Sequence, residues 1–159
     1  MRITPLADAD LPAVLEVYRQ CEDFLALGPQ PRASAAMVAA DLAHSRAAGG
    51  EFCGLWDESG RLVGVLDLLR TGFAGDPQCG FIELLMVAAP WRSAGLGAAA
   101  TAWALAQMRA GGAARAATAV QVNNPAALRF WLRQGFTLAG PPQPQPDGTV
   151  TFLLEQALA

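Results

Sequence analysis

The segment from Trp91 to Ala98 holds the residues of this sequence that are best suited to binding an anion. Arg92, Gly95 and Gly97 stand in an Arg-x-x-Gly-x-Gly arrangement, after an apolar run and before an alanine-rich one. This order predicts a buried strand, a turn and a helix. N–H groups at a helix start carry partial positive charge, glycines let a ligand approach closely, and Arg92 adds a full charge at the rim. The segment therefore predicts a pyrophosphate site, with a plain glycine-rich helix cap as the alternative.

The same glycines also fit the Gly-x-Gly-x-x-Ala pattern of dinucleotide-binding folds. Seven residues, Ala88 to Ala94, separate the predicted strand from the first glycine, whereas a dinucleotide fold makes a tight turn there. The next predicted strand runs into Asn123 and Asn124, without the acidic residue that holds a ribose hydroxyl. A dinucleotide-dependent oxidoreductase is therefore the less favoured class.

The elements that position this segment follow from hydrophobic periodicity and from turn residues. Strands are predicted at residues 2–6, 51–57, 61–70, 81–87, 115–122, 136–139 and 150–154. Helices are predicted after Asp8 or Asp10 and at residues 34–47, 95–110 and 125–134. The resulting order, β-α-α-β-β-β-α-β-α-β-β, predicts an α/β fold with a mixed sheet of about seven strands flanked by four helices.

Length and composition limit the classes of protein that remain. A chain of 159 residues, 53% hydrophobic and 16% charged, predicts one globular domain over residues 1–159. The net charge of −3 argues against a nucleic-acid partner, because such proteins usually carry a basic face. The absence of lysine excludes a Walker-type phosphate loop and a pyridoxal enzyme, since both need that residue.

The remaining features concern metals, membranes and location. A single histidine, His44, and three scattered cysteines give no metal-binding constellation. Cys21, Cys53 and Cys79 have no paired spacing and are interpreted as reduced thiols of a cytoplasmic protein. The longest apolar stretch, residues 94–106, is too short to span a bilayer, so no membrane association is expected. A homodimer is the default expectation for so small and apolar-rich a domain.

Two motifs resemble those of the GNAT superfamily of N-acetyltransferases. The run from Leu85 to Gly97, Leu-Met-Val-Ala-Ala-Pro-Trp-Arg-Ser-Ala-Gly-Leu-Gly, is similar to the family's acetyl-CoA signature. The run from Asn124 to Phe136, Asn-Pro-Ala-Ala-Leu-Arg-Phe-Trp-Leu-Arg-Gln-Gly-Phe, is similar to its second motif. The motifs occur in the family's order, and the order of elements extends the resemblance to the whole chain.

The resemblance implies acetyl-CoA as the co-substrate and assigns roles to particular residues. Main-chain N–H groups of the turn would cradle the pyrophosphate, and the residues concerned are Arg92, Ser93, Ala94, Gly95, Leu96, Gly97 and Ala98. Met86 and Val87, next to Leu85, would pair like a strand with the pantetheine arm, and the Val87 N–H would polarise the thioester carbonyl. The last helix would contribute Asn124, Ala127, Phe130 and Trp131 beside the pantetheine, with plain helix capping as the alternative role of Asn124.

Transfer of an acyl group to an amine needs a base, and Glu83 is the best candidate. It interrupts an apolar strand four residues before Val87, and strict alternation would place Glu83, Leu85 and Val87 on one face. A structural pairing of Glu83 with an arginine is the alternative. Asp67 also lies within an apolar strand, so it is either paired or faces a polar cleft where it would bind the acceptor's ammonium group.

The general acid is the point at which this sequence departs from the family. The family often has a tyrosine four residues before the Gly-Phe pair of the last helix, and this chain has Trp131 there. An indole cannot deliver a proton, so a water molecule is the more economical donor. Tyr18 and Phe24 on the first helix and its loop would face a cationic acceptor, with a solvated helix end as the alternative.

The sequence therefore predicts an N-acetyltransferase that moves an acetyl group from acetyl-CoA to a primary amine of a small molecule or peptide. Direct attack in a ternary complex is expected, because neither a Gly-x-Ser-x-Gly motif nor a Cys–His pairing is present. A non-catalytic acyl-CoA-binding module is the second hypothesis, and it is motivated by Trp131.

Overall fold

The computed structural model describes all residues from Met1 to Ala159, and its centre is a mixed β-sheet of eight strands. The strand order is β1-β2-β3-β4-β5-β8-β6, and β7 pairs separately with β8. The strands are β1 (Arg2–Pro5), β2 (Glu51–Trp56), β3 (Leu62–Leu69), β4 (Cys79–Val87), β5 (Arg115–Gln121), β6 (Thr137–Leu138), β7 (Gln143–Pro144) and β8 (Val150–Ala157). The helices are α1 (Leu11–Arg19), α2 (Glu22–Leu25), α3 (Ala35–Ala47), α4 (Leu96–Ala110) and α5 (Pro125–Arg133).

The predicted mixed α/β fold is confirmed, while the number of elements needs correction. The sheet has eight strands and not seven, because the Pro-rich loop contains the two-residue strand β7. The helices number five and not four, because the single turn α2 follows α1 directly. Such short elements carry too few residues for a hydrophobic period to be visible.

Local sequence explains where the helices begin. The Ser34 hydroxyl accepts a hydrogen bond from the Met37 N–H at 3.1 Å and caps α3. The Asn124 side chain accepts one from the Ala127 N–H at 3.0 Å and caps α5, which has a proline at its first position. Helix α4 begins after Gly95, whose φ of 79° lies in the left-handed region that glycine tolerates.

The helices cover the two faces of the sheet with two separate cores. Helices α4 and α5 pack on one face, where Ala104 and Trp131 meet Leu66 of β3 in the largest buried cluster. Helices α1 and α3 pack on the other face, where Val14 and Leu42 belong to a second buried cluster. Below we call these the α4–α5 face and the α1–α3 face.

The sheet splits between its two central strands. Strands β4 and β5 run parallel and pair from Cys79–Arg115 to Ile82–Thr118, where the pairing stops. The Thr118 hydroxyl donates to the Ile82 carbonyl at 3.0 Å at the point where the strands part. Beyond it β4 stays paired with β3, and β5 stays paired with β8. The rest of β4 and β5 therefore forms the two sides of an open gap.

A β-bulge lies where the split begins. Asp67 opposes Leu84 and Leu68 opposes Ile82, so Glu83 is an extra residue on β4. Leu84 packs on the α1–α3 face and Leu85 on the α4–α5 face, together with Ile82. The strict alternation that placed Glu83 on one face with Leu85 and Val87 is therefore interrupted at Glu83.

Candidate active site

The two sides of the gap present main-chain groups that are not used in pairing with the outer strands β3 and β8. The Ala88 N–H donates to the Val63 carbonyl at 2.9 Å, so the alternation of an antiparallel pair turns the N–H and C=O groups of Val87 and Leu85 away from β3. On the other side, the Val122 N–H donates to the Val150 carbonyl at 2.9 Å. By the same alternation, Gln121 and Ala119 turn their main-chain groups away from β8. An extended ligand in the gap can therefore pair with either strand.

This geometry corrects the role of Met86. The residue lies between Leu85 and Val87, opposite Val65 in a hydrogen-bonded pair, so its main-chain groups are used by β3. Its side chain is 3% exposed and packs on the α1–α3 face. The main-chain groups that face the gap belong to Leu85 and Val87, and not to Met86.

The gap opens into a cavity of about 1050 Å³. Its walls include β4 from Phe81 to Val87 and the end of β5 from Thr118 to Gln121. Of the residues singled out in the sequence, those that line it are Phe24, Glu83, Leu85, Met86, Val87, Arg92, Gly97, Asn124, Ala127, Phe130 and Trp131. Ser93, Ala94, Gly95, Leu96 and Ala98 lie in the adjoining turn and first helical turn, outside this lining.

The turn before α4 offers a row of free donors. The main-chain N–H groups of six consecutive residues, Ser93 to Ala98, have no acceptor in the protein. Ser93 and Gly95 both have positive φ, 65° and 79°, which bends the chain sharply into the helix. A Cβ on Gly97 would come within 3.3 Å of the Phe130 ring, so glycine keeps the passage between α4 and α5 open. The helix dipole adds to the attraction for an anion at this place.

The Arg92 side chain needs a correction, because its charge is already engaged. Its Nη1 and Nη2 donate to Asp23 at 2.5 and 2.9 Å, and its Nε donates to the Val87 carbonyl at 2.9 Å. Asp23 raises the pKa of the guanidinium, and Arg92 lowers that of the carboxyl in turn. The Arg92 N–H also donates to the Ala89 carbonyl at 3.3 Å. The free donors of the turn therefore begin at Ser93.

Helix α5 supplies an apolar wall. Trp131 is 6% exposed and packs edge-to-face against Phe130 and Phe136, with ring centroids 5.0 and 5.2 Å away. Ala127 and Phe130 line the cavity beside it. Asn124 also lines the cavity, and its side-chain oxygen is occupied by helix capping. Trp131 brings no titratable group to this wall.

Glu83 is an exposed carboxylate at the point where the strands separate. It lines the cavity and makes neither an ion pair nor a side-chain hydrogen bond. Glu83 therefore does not form the structural ion pair with an arginine that was the alternative. The bulge points Glu83 out of the regular ladder, as bulges near functional sites commonly do.

Two residues that were expected to contact an acceptor lie outside the cavity. The Asp67 carboxylate, 5% exposed, accepts a hydrogen bond from the Ser45 hydroxyl of α3 at 2.5 Å. Burial raises the pKa of Asp67 to about 6, with Ser45 opposing the rise and the charge of Glu83 adding to it. The Tyr18 hydroxyl donates to Asp41 at 2.6 Å, and burial raises the pKa of this phenol. Both residues are structural polar groups between helices and sheet.

The sequence alone did not identify the opposite end of the cavity. Phe73, in the loop before β4, stacks on Phe81 with centroids 4.0 Å apart and planes 6° apart. The hairpin of β7 and β8 adds a polar wall, which consists of Gln143, Gln145, Asp147, Thr149 and Thr151. Cys21 also lines the cavity, and its thiol donates to the Val87 carbonyl at 3.5 Å.

The sheet splits between two parallel central strands, and the helix that connects them begins with a turn of free N–H donors. This is the fold expected of the acyl-CoA-dependent transferases whose two motifs the sequence resembles. The chain belongs to the acetyltransferase (GNAT) family, whose model matches residues 11–136. No curated protein sequence matches the chain significantly. No helix has the length and apolar character needed to cross a membrane.

Solved structures show the same fold at low sequence identity. An acetyltransferase from Thermus thermophilus has a TM-score of 0.81 at 22% identity, over 99% of this chain and 96% of that one. Ribosomal-protein-alanine N-acetyltransferase from Brucella melitensis has a TM-score of 0.75 at 20% identity, over 99% and 100%. A structure of yncA from Salmonella typhimurium with its cofactor acetyl-CoA has a TM-score of 0.74 at 19% identity, over 100% and 94%.

Proposed function

We propose that this protein is an N-acetyltransferase that transfers the acetyl group of acetyl-CoA to a primary amine. The observation that carries the proposal is the split between β4 and β5, whose separated edges line a cavity next to six free N–H groups. A pantetheine arm is extended and amide-bearing, so it suits the gap, while a pyrophosphate suits the turn. The related fold that contains acetyl-CoA supports this choice of donor.

Proton removal from the amine and stabilisation of the oxyanion each have a group in the cavity. Glu83 takes a proton from the amine, directly or through a water, and the amine nitrogen attacks the thioester carbon. The Val87 N–H, which faces the gap, donates to the developing oxyanion, and one such donor is worth about 3 kcal/mol in comparable sites. The C–S bond then breaks, the C–N bond remains, and the thiolate takes a proton from water because Trp131 has none to give.

Thiol release from acetyl-CoA in the presence of an amine panel tests the proposal. The Glu83→Gln variant should lower kcat by about 100-fold or more, since general base catalysis contributes on that order. It should leave the affinity for acetyl-CoA unchanged, because the proposed cofactor contacts are main-chain groups. Glu58→Gln is the matched control, since Glu58 is exposed in the turn between β2 and β3, away from the cavity.

The outcomes separate the candidate functions. Binding of acetyl-CoA without thiol release for any amine would favour the non-catalytic acyl-CoA-binding module that the indole of Trp131 suggested. Binding of NAD(P) in place of CoA would favour a dinucleotide-dependent oxidoreductase. A kcat for Glu83→Gln equal to that of the unaltered protein would assign the base to another group.

We also propose that the protein works in the cytoplasm, and that it forms a homodimer. All three cysteines are buried free thiols, which suits a reducing compartment. A homodimer is the commonest assembly for a domain of this size. Sedimentation of the purified chain at several concentrations tests the second point.

A further inference from the structure

We propose that the acceptor is a hydrophobic amine that carries no anionic group next to its nitrogen. This inference rests on the proposed N-acetyltransferase function and concerns the same cavity. It would exclude free amino acids and phosphorylated amino sugars as good substrates, and it would favour arylalkylamines and amides of apolar amino acids.

The charges of the cavity are the first observation. Four of its 30 lining residues are charged, and they are Asp23, Glu83, Arg92 and Asp147. Arg92 is the only cation among them, and Asp23 holds its guanidinium through two hydrogen bonds of 2.5 and 2.9 Å. No positive group remains to pair with a carboxylate or phosphate of an acceptor. Glu83 and Asp147 remain as uncompensated negative charges.

Asp147 stays ionised for a local reason. Its Oδ1 accepts hydrogen bonds from the Thr149 N–H at 2.9 Å and from the Thr149 hydroxyl at 2.6 Å. These bonds lower the pKa of the Asp147 carboxyl, because they favour its charged form. Its Oδ2 has no partner in the protein. An anionic acceptor would therefore meet repulsion from the hairpin as well as from β4.

The apolar end of the cavity is the second observation. Phe81 and Phe73 stack against each other on the α1–α3 face, and Leu153 of β8 packs with them. No residue of this cluster comes from an α-helix, so the helices leave this part of the sheet uncovered. Phe24 of α2 lines the same cavity. Aromatic faces attract cations and bury apolar surface, so they suit the body of an aryl- or alkylamine.

Three acceptors of similar shape test the inference, namely 2-phenylethylamine, phenylalanine amide and phenylalanine. The first two lack the carboxylate, and the amide keeps the substituent at that carbon. We expect kcat/KM for phenylalanine to be lower than for its amide by about tenfold or more, as like-charge contacts commonly cost at least that much. Assays at a fixed pH must correct for the different pKa values of the three amines.

Variants assign the effect to the hairpin and to the stack. Asp147→Asn keeps a side-chain acceptor for Thr149 and should reduce the discrimination between phenylalanine and its amide. Asp57→Asn is the matched control. The Asp57 carboxylate accepts a hydrogen bond from the Ser59 N–H at 2.8 Å in an equivalent turn, and it lies away from the cavity. Phe73→Leu should raise KM for 2-phenylethylamine more than for methylamine.

Two failures are distinguishable. Turnover of all three acceptors with equal kcat/KM, or preference for phenylalanine, would overturn the inference while leaving the N-acetyltransferase proposal in place. Tight acetyl-CoA binding with no turnover of any amine would overturn the proposed function itself. Loss of discrimination in Asp57→Asn as well as in Asp147→Asn would refute the role of Asp147.

Discussion

The two faces of the split sheet offer different chemical groups to the proposed ligands. On the α4–α5 face the available groups are main-chain donors, in the turn from Ser93 to Ala98 and along the edge at Val87. On the α1–α3 face they are the side chains of the Phe73–Phe81 stack, and the carboxylates of Glu83 and Asp147 line the same cavity. Main-chain groups are present whatever the side chain, so the first face suits an invariant cofactor. Side chains vary freely, so the second face can be fitted to one acceptor.

Whether the acceptor site on the α1–α3 face includes Asp67 is tested by changing that residue, and we expect the largest effect here. Burial raises its folded-state pKa to about 6 from an ordinary value of 3.8, so the unfolded chain loses this proton more easily. The free energy of unfolding should therefore fall as pH rises between those values, by about 3 kcal/mol, and stay lower above them. Asp67→Asn should remove this loss and be more stable than the unaltered protein near neutral pH, without a change in acceptor KM.

Urea unfolding below and above that pKa measures the effect. Glu58→Gln, an exposed site that leaves Asp67 in place, should show the same fall in stability as the unaltered protein. A raised acceptor KM in Asp67→Asn, with its pH dependence of stability unaltered, would instead return Asp67 to the acceptor site.

The proposed binding of acetyl-CoA by main-chain groups of the α4–α5 face is tested at Gly97. A valine there would press on the Phe130 ring, which a Cβ already approaches at 3.3 Å, and would narrow the passage between α4 and α5. Gly97→Val should weaken acetyl-CoA binding by about tenfold or more. Ala99→Val places the same residue in the same helical turn at an exposed position, so it should leave the affinity unchanged. Calorimetric titration compares the two, and equal affinities would locate the pyrophosphate elsewhere.

The smallest effect is expected at Trp131, which lines the cavity but supplies no proton. Trp131→Tyr places a phenol on this wall, and Trp131→Phe is the same change without the hydroxyl. If water protonates the thiolate, kcat for the two variants should agree within about threefold. A much higher kcat for Trp131→Tyr alone would show that the unaltered protein is limited by its missing acid.

The first face was predictable from sequence because its determinants are local. Gly95 and Gly97 fix the turn, and the flanking strand and helix have clear patterns within a few residues of them. The bulge at Glu83 was not predictable, since register depends on how β3 and β4 pair and not on either strand alone. Leu85 and Val87 share a face as expected, and the bulge interrupts the alternation that was to place Glu83 with them.

The second face was mostly hidden because its residues come from distant segments. Arg92 pairs with Asp23, 69 residues away, and this pairing removes the free positive charge that the motif alone suggested. Tyr18 is held by Asp41, 23 residues away, which turns it from the cavity into the helix layer. Phe73 and Asp147 carry no local pattern that marks them as neighbours of the gap. Such contacts appear only when the chain is folded.

The side chain of Arg92 joins the two faces mechanically. It bonds the Asp23 carboxylate on α2, the helix that also carries Phe24, and it bonds the carbonyl at the end of β4. A shift of α2 on acceptor binding must move the end of β4 or break these bonds. If acceptor binding moves α2 in this way, occupancy of one side would be linked to affinity on the other, and such linkage is reciprocal. An acceptor that raises the affinity for acetyl-CoA would itself bind more tightly, by the same factor, when acetyl-CoA is bound. The ternary complex would then form cooperatively.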